Sequence, residues 1–201
     1  MALPRSPHYS VEEYLSRERE SLTRHEYLLG QIYDMAGESL AHSRICVNLA
    51  SELRNQLKGH DCGALSPNMK VRTSDSGLFS YPDLTVVCGE PVFHDRHKDV
   101  LLNPKAIFEV LSPSTEAYDR GEKFFGYRNY LDPLADYILV SQHRPLIDHF
   151  VRQADGQWLY SAVVGMEASL HISSIDCRLH LSEIYDRVAF PEILEPVPEE
   201  R

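Results

Sequence analysis

The order of hydrophobic segments predicts an α/β fold in which helices flank a central mixed β-sheet. Three observations carry that prediction. Residues 40–58, "LAHSRICVNLASELRNQLK", place Ile45, Cys46, Leu49, Ala50, Leu53 and Leu57 at helical spacing. The run "KAIFEVLS" is short, nearly all apolar, and closed by Pro113, as a strand buried on both faces would be. The elements then succeed one another as helix, three strands, helix and strand, with further β-structure at both ends.

Taken in order, "SVEEYLSRERE" opens with Ser10 and has Glu13 three residues on, a capping box that starts a short helix. "RHEYLLGQIYDMAG" alternates around Gly30 and reads as a hairpin. Ser39 caps the long helix and Gly59 ends it. "ALSPNMKVRTS" and "YPDLTVVCG" read as strands joined by the turn "SDSG". A loop of roughly a dozen residues follows, longer than usual connections, before the strand from Lys105. "DRGEKFFGYRNYL" is a helix with Asp119 and Glu122 as its cap pair, and "ADYILVS" is the next strand. "PLIDHFVRQ" and "GQWLYSAVV" form a hairpin about "ADG". "SLHIS", "CRLHL" and "SEIYDRV" add two short strands and a last helical turn. Residues 1–190 are read as a single domain and the acidic, Pro-rich residues 191–201 as a tail.

At 201 residues and 43% hydrophobic, the chain is long enough for one sizeable core. Its formal net charge of −10 gives it no bulk attraction to phosphate backbones, so any nucleic-acid role needs a local basic patch or a bound cation. Cys46, Cys62, Cys88 and Cys177 show no paired motif and are expected to be reduced thiols in a cytoplasmic protein. No apolar run approaches the length of a signal peptide or membrane span, so no membrane partner is expected.

Glu109 is the anomaly. Five of the six residues from Ala106 to Leu111 are apolar, and the sixth is this acid. Strand alternation puts it on the face of Ile107 and Leu111, with Ala106, Phe108 and Val110 opposite. An unpaired buried carboxylate costs several kcal/mol, so something must compensate it. Asp83, after Pro82, starts a strand that can neighbour it. Two adjacent carboxylates stay ionised together when a cation sits between them, and oxygen donors favour Mg²⁺ or Mn²⁺. Lys123, on the following helix, is placed to stabilise charge in phosphoryl transfer. Each residue also has a plain reading. Glu109 can be salt-bridged to an arginine, Asp83 can cap a turn, and Lys123 can pair with Asp119 one turn away. His42 is either a group near the metal or a boundary histidine. The loop "FHDRHKD" is read as solvated rather than as a zinc site. Arg120, Lys123 and Arg128 form either a basic strip toward a phosphate backbone or a solvated helix face.

The blocks "YPDLTVV", "IFEVLSPST", "YDRGEKFFGYRNY" and "ADYILVSQ" resemble those of the Uma2 family of the PD-(D/E)XK nuclease superfamily, over roughly residues 10–188. The resemblance implies a restriction-endonuclease-like fold with an added N-terminal hairpin and C-terminal strands. It implies a Mg²⁺- or Mn²⁺-dependent endonuclease acting on DNA, with Asp83 and Glu109 as metal ligands aided by the Val110 carbonyl. The superfamily lysine two residues after the second acid is Leu111 here, and its role falls to Lys123. In the hairpin Glu26 is present as an accessory ligand or a surface acid, and Gln31 replaces the second acid. Cutting both strands calls for two sites, hence a homodimer. Leu111 and the acidic charge keep two alternatives open: a catalytically silent nuclease-fold binding module, and a hydrolase of a small phosphorylated substrate.

Overall fold

A computed structural model describes residues 7–35, 37–73 and 77–191. In chain order the elements are α1 (Val11–Glu20), the hairpin β1 (His25–Leu28) and β2 (Gln31–Asp34), α2 (Leu40–Gln56), β3 (Cys62–Leu65), β4 (Lys70–Arg72), β5 (Phe79–Ser80), β6 (Leu84–Cys88), β7 (Val100–Leu101) and β8 (Ala106–Leu111). A helical segment follows: α3 (Glu116–Tyr118), a π-helical turn (Asp119–Lys123) and α4 (Phe124–Tyr130). Then come β9 (Asp136–Ser141), β10 (Leu146–Arg152), β11 (Trp158–Val164), β12 (Ser169–Ile172), β13 (Cys177–His180) and the short α5 (Leu181–Ile184).

The central sheet has the order β11-β10-β9-β8-β6-β3. β8 runs parallel to β9 and antiparallel to β6, so the sheet is mixed. All six residues of β8 are buried, because both faces are covered. One face packs Ala106, Phe108 and Val110 against Ile45, Leu49 and Leu53 of α2. The other packs Ile107 and Leu111 against Phe124 and Tyr127 of α4. The alternation read from the sequence is therefore the alternation of the core. A second sheet, β2-β1-β5-β4-β7, stands beside it.

Local signals explain most boundaries. The Ser10 capping box closes reciprocally with Glu13, and Ser39 Oγ accepts from the His42 amide; each such cap stabilises its helix by about 1 kcal/mol. The β1–β2 turn uses Leu29 and Gly30 at positive φ. Gly30 sits at φ +91°, in the left-handed region that favours glycine.

Three expectations change. "ALSPNMKVRTS" is not one strand: β3 belongs to the central sheet and β4 to the second, with a turn at Pro67–Asn68 between them. "YPDLTVVCG" is a strand only over Leu84–Cys88: Pro82 has no N–H for a ladder, and the short β5 just before it, outside the expected strand, belongs to the second sheet. The helix expected from Asp119 begins at Glu116 and includes the π turn. The "SDSG" turn and almost all of the acidic tail lie outside the described residues.

The cysteine reading is corrected too. Cys62 and Cys88 are register partners on β3 and β6, with Cα atoms 3.9 Å apart, and form a disulfide. Antiparallel pairing joins positions 26 residues apart that no sequence motif links. The thiol argument for a reducing compartment is thereby removed; Cys46 and Cys177 are the free thiols. Among the described residues, no helix is long and apolar enough to cross a membrane.

Candidate active site

A cleft of about 1610 Å³ opens between the two sheets and the start of α2. Pro82 sets its geometry. By breaking the strand it leaves Asp83 at the mouth of β6, one step beyond the Leu84–Phe108 pair and hence opposite Glu109. Asp83 Oδ2 accepts a 2.7 Å hydrogen bond from the Val110 amide. In an extended strand a residue's N–H and C=O point to the same edge, so the Val110 carbonyl also faces the Asp83 side. Asp83, Glu109 and Val110 all line the cleft.

Glu109 is 3% exposed and projects toward the π turn. Lys123 Nζ lies 2.9 Å from Glu109 Oε1, 3.3 Å from Glu26 Oε1 and 3.4 Å from Asp119 Oδ1. One buried ammonium thus serves three carboxylates. The Lys123–Glu109 contact is close but not aligned as a hydrogen bond, and Oε1 has no other hydrogen-bond partner. Burial pushes the Glu109 carboxyl well above the usual carboxylate range; Lys123 pulls it down, while Asp119, Asp83 and Glu26 push it further up. Burial likewise raises Asp119 against the pull of Lys123. Burial opposes charge on Lys123 itself, yet Glu109 and Glu26 hold it well above an ordinary lysine. Lys123 thus holds its proton while three carboxyl groups share its one positive charge.

Glu26 is not a surface acid. β1 buries it, and its Oε1 also accepts from the Tyr81 amide at 3.1 Å, which ties the second sheet to the strand break. The opposite wall is α2. His42 Nε2 lies 3.3 Å from Asp83 Oδ2, and its Nδ1 lies 3.1 Å from Glu38 Oε2. Burial opposes a charged His42, but the bonds to Asp83 and Cys46 outweigh it and push the imidazole up to about 11. The cap residue Ser39 donates to Gln142 Oε1 at 2.6 Å, and Gln142 Nε2 donates to the Leu111 carbonyl at 2.8 Å. This chain of bonds fixes the start of α2 over the ends of β8 and β9.

The structure therefore brings Asp83, Glu109, Val110, Lys123, Glu26 and His42 to one cleft. It does not assemble a basic strip. Arg120 pairs with Glu116 and Asp148, each at 2.8 Å, and Arg128 lies over the rings of Phe124 and Phe125. Neither lines the cleft, and Lys123 is buried. Within the π turn Lys123 is buried while Arg120 is exposed, so the two do not share a solvent face. Sequence reasoning missed Asp119 as a member of the site. Its i,i+4 spacing to Lys123 was the available signal, but cap chemistry explained it equally well.

A mixed sheet covered on both faces, with Asp83 at the strand break and Lys123 on the following helical turn, is the α/β architecture that the chain shares with other proteins. The comparisons agree. In three dimensions the chain is similar to a protein from Anabaena variabilis titled a "putative nuclease belonging to DUF820", with a TM-score of 0.74, 15% identity, and coverage of 90% of this chain and 99% of that one. By sequence it is similar to two proteins of Synechocystis sp. The first, "Uncharacterized protein slr1290", is 39% identical over 92% of this chain and 95% of its own length. The second, "Uncharacterized protein sll1609", is 32% identical over 82% of this chain and 92% of its own length. Residues 11–181 match the Uma2 family, described as "Putative restriction endonuclease". The chain belongs to the Uma2 family.

Proposed function

We propose that this chain is a Mg²⁺- or Mn²⁺-dependent endonuclease that hydrolyses phosphodiester bonds of DNA in the cleft. The single observation that carries the reading is the surplus of carboxylate around one buried lysine. Glu26, Glu109 and Asp119 surround Lys123, with Asp83 opposite Glu109. A structural ion cluster would balance its charges. A surplus facing a cleft suits a divalent cation, and the donors are all hard oxygens.

Asp83, Glu109 and the Val110 carbonyl would hold the ion, with Glu26 as an accessory ligand. Such an ion polarises a phosphoryl oxygen and lowers the pKa of bound water. The chain's own groups do the rest. The Val110 amide and His42 orient the Asp83 carboxylate. Lys123 pulls the Glu109 carboxyl toward ionisation against burial, and would supply fixed positive charge beside the phosphate that the cleft receives. The cleft volume exceeds the ~300–1,000 Å³ usual for small-ligand pockets, which favours a polymer over a small phosphorylated molecule. Cutting both strands would require two copies of the chain.

The test is plasmid nicking by purified protein with Mn²⁺. Asp83→Ala and Glu109→Ala are each expected to lower the rate by at least about 100-fold, more than the ~10–100-fold typical of groups that only support a ligand. Nicking that survives both substitutions undiminished would assign the activity to a contaminant and end the proposal.

A further inference from the structure

A second cluster lies on the α2 wall of the cleft. Glu38, His42 and Cys46 follow one another at steps of four: Glu38 just before the Ser39 cap, and His42 and Cys46 on one face of the start of α2. Their donor atoms all lie within 4.8 Å of one another. His42 Nδ1 is 3.1 Å from Glu38 Oε2 and 3.5 Å from Cys46 Sγ. Metal–ligand bonds of about 2.0–2.3 Å place the ligands of a tetrahedral zinc ion about 3.3–3.6 Å apart. The two spacings from Nδ1 are close to that range, and the third, between Glu38 and Cys46, is at most 4.8 Å. The far nitrogen of the same ring, Nε2, faces Asp83 Oδ2 at 3.3 Å. A carboxylate behind the distal nitrogen is the arrangement that fixes the tautomer of a metal-binding histidine.

We propose that Glu38 Oε2, His42 Nδ1 and Cys46 Sγ form a site for a Zn²⁺-class transition ion, distinct from the carboxylate cluster at Lys123. Its donor set differs in kind: one thiolate, one imidazole and one carboxylate suit a borderline-soft ion, whereas Asp83 and Glu109 suit a hard one. All three residues line the cleft, so the fourth position opens toward whatever the cleft holds. Three protein ligands and one open position describe a reactive rather than a structural zinc site. Binding displaces the protons of Sγ and Nδ1 to solvent, and Nε2–H remains as the donor to Asp83. Because His42 is shared, the two metal sites would meet through a single imidazole.

Cobalt titration of the whole chain, with Mg²⁺ in excess, tests the site. One equivalent of Co²⁺ should produce a thiolate-to-cobalt charge-transfer band in the near ultraviolet, and Zn²⁺ should abolish it by displacement. Cys46→Ser should remove the band. Glu38→Gln, at an exposed position where folding is not at issue, should weaken Co²⁺ binding at least about tenfold. Glu109→Gln should leave the band in place, which separates this site from the proposed nuclease centre. A wild-type protein with no band, a band that persists in Cys46→Ser, or unchanged affinity in Glu38→Gln would overturn the assignment.

Discussion

Two lysines are buried to the same depth in this molecule, Lys70 and Lys123, each 4% exposed, and they keep different company. Lys70 pairs with Asp99 at 3.0 Å and lies 3.3 Å from the Tyr81 hydroxyl. Asp99 also receives Arg19, which in turn reaches Asp95, so two cations meet two anions. That cluster ties α1 to the long loop before β8 and is charge-balanced. Lys123 sits among three carboxylates and is not balanced. The acids respond in opposite directions. Burial raises Asp99, but Arg19 and Lys70 overcome it and hold the carboxyl far below its usual range. Burial raises Glu109, and its single cation does not compensate. Tyr81 stands between the clusters, donating its hydroxyl to Glu18 at 2.7 Å and its amide to Glu26. Depth of burial therefore does not distinguish the two clusters; the balance of charged groups does.

The sharpest way to break this contrast is to remove each lysine. Lys123→Met strands three buried carboxylates and should cost about 3–5 kcal/mol, the range for an uncompensated buried charge. Lys70→Met leaves Asp99 with Arg19 and should cost less, about 1–3 kcal/mol. Urea unfolding of both variants decides the point, and equal losses would refute the distinction. Next in size is a difference of sign. Glu109→Gln removes one of three crowded charges and should stabilise the metal-free protein by about 1 kcal/mol, raising Tm by about 2–4 °C. Asp99→Asn removes a balanced charge and should destabilise by about 1 kcal/mol, a figure already reduced for its partial exposure. Calorimetry reads both, and a Glu109→Gln variant that melts lower than wild type would contradict the surplus.

Much of this site was legible before the structure, and the reason is physical. A strand buried on both faces cannot hide an acid among apolar residues, so Glu109 declared itself by breaking its own pattern. Asp83 was legible as the acid after Pro82, at the start of a strand that can neighbour Glu109. The face shared by Glu109, Ile107 and Leu111 followed from alternation alone. What failed was what local pattern does not encode. The burial of Lys123 beside an exposed Arg120 was not encoded in their spacing, because the π turn between Asp119 and Lys123 leaves no local signature. Cys62 and Cys88 met through strand register, which depends on how two distant segments align. Glu26 read as a surface acid because β1 is short, and only the second sheet, with Tyr81 donating to its carboxylate, buries it. The splitting of the predicted strand "ALSPNMKVRTS" between sheets was likewise a tertiary decision, taken at Pro67.

The smallest expected effect sharpens the balanced side of the comparison by pH. The folded-state pKa of Asp99 is depressed, so its contribution to stability is fully present above the unfolded value of about 3.9 and is lost as pH falls from there toward the folded value. The stability gap between wild type and Asp99→Asn should accordingly hold steady from about pH 7 to about pH 5 and narrow below about pH 4. Urea midpoints across that range measure it. A gap that stays unchanged at about pH 3 would mean that the carboxylate charge contributes nothing. Asp99 would then hold Arg19 and Lys70 through hydrogen-bond geometry alone, and the neutrality of that cluster would carry no energetic weight.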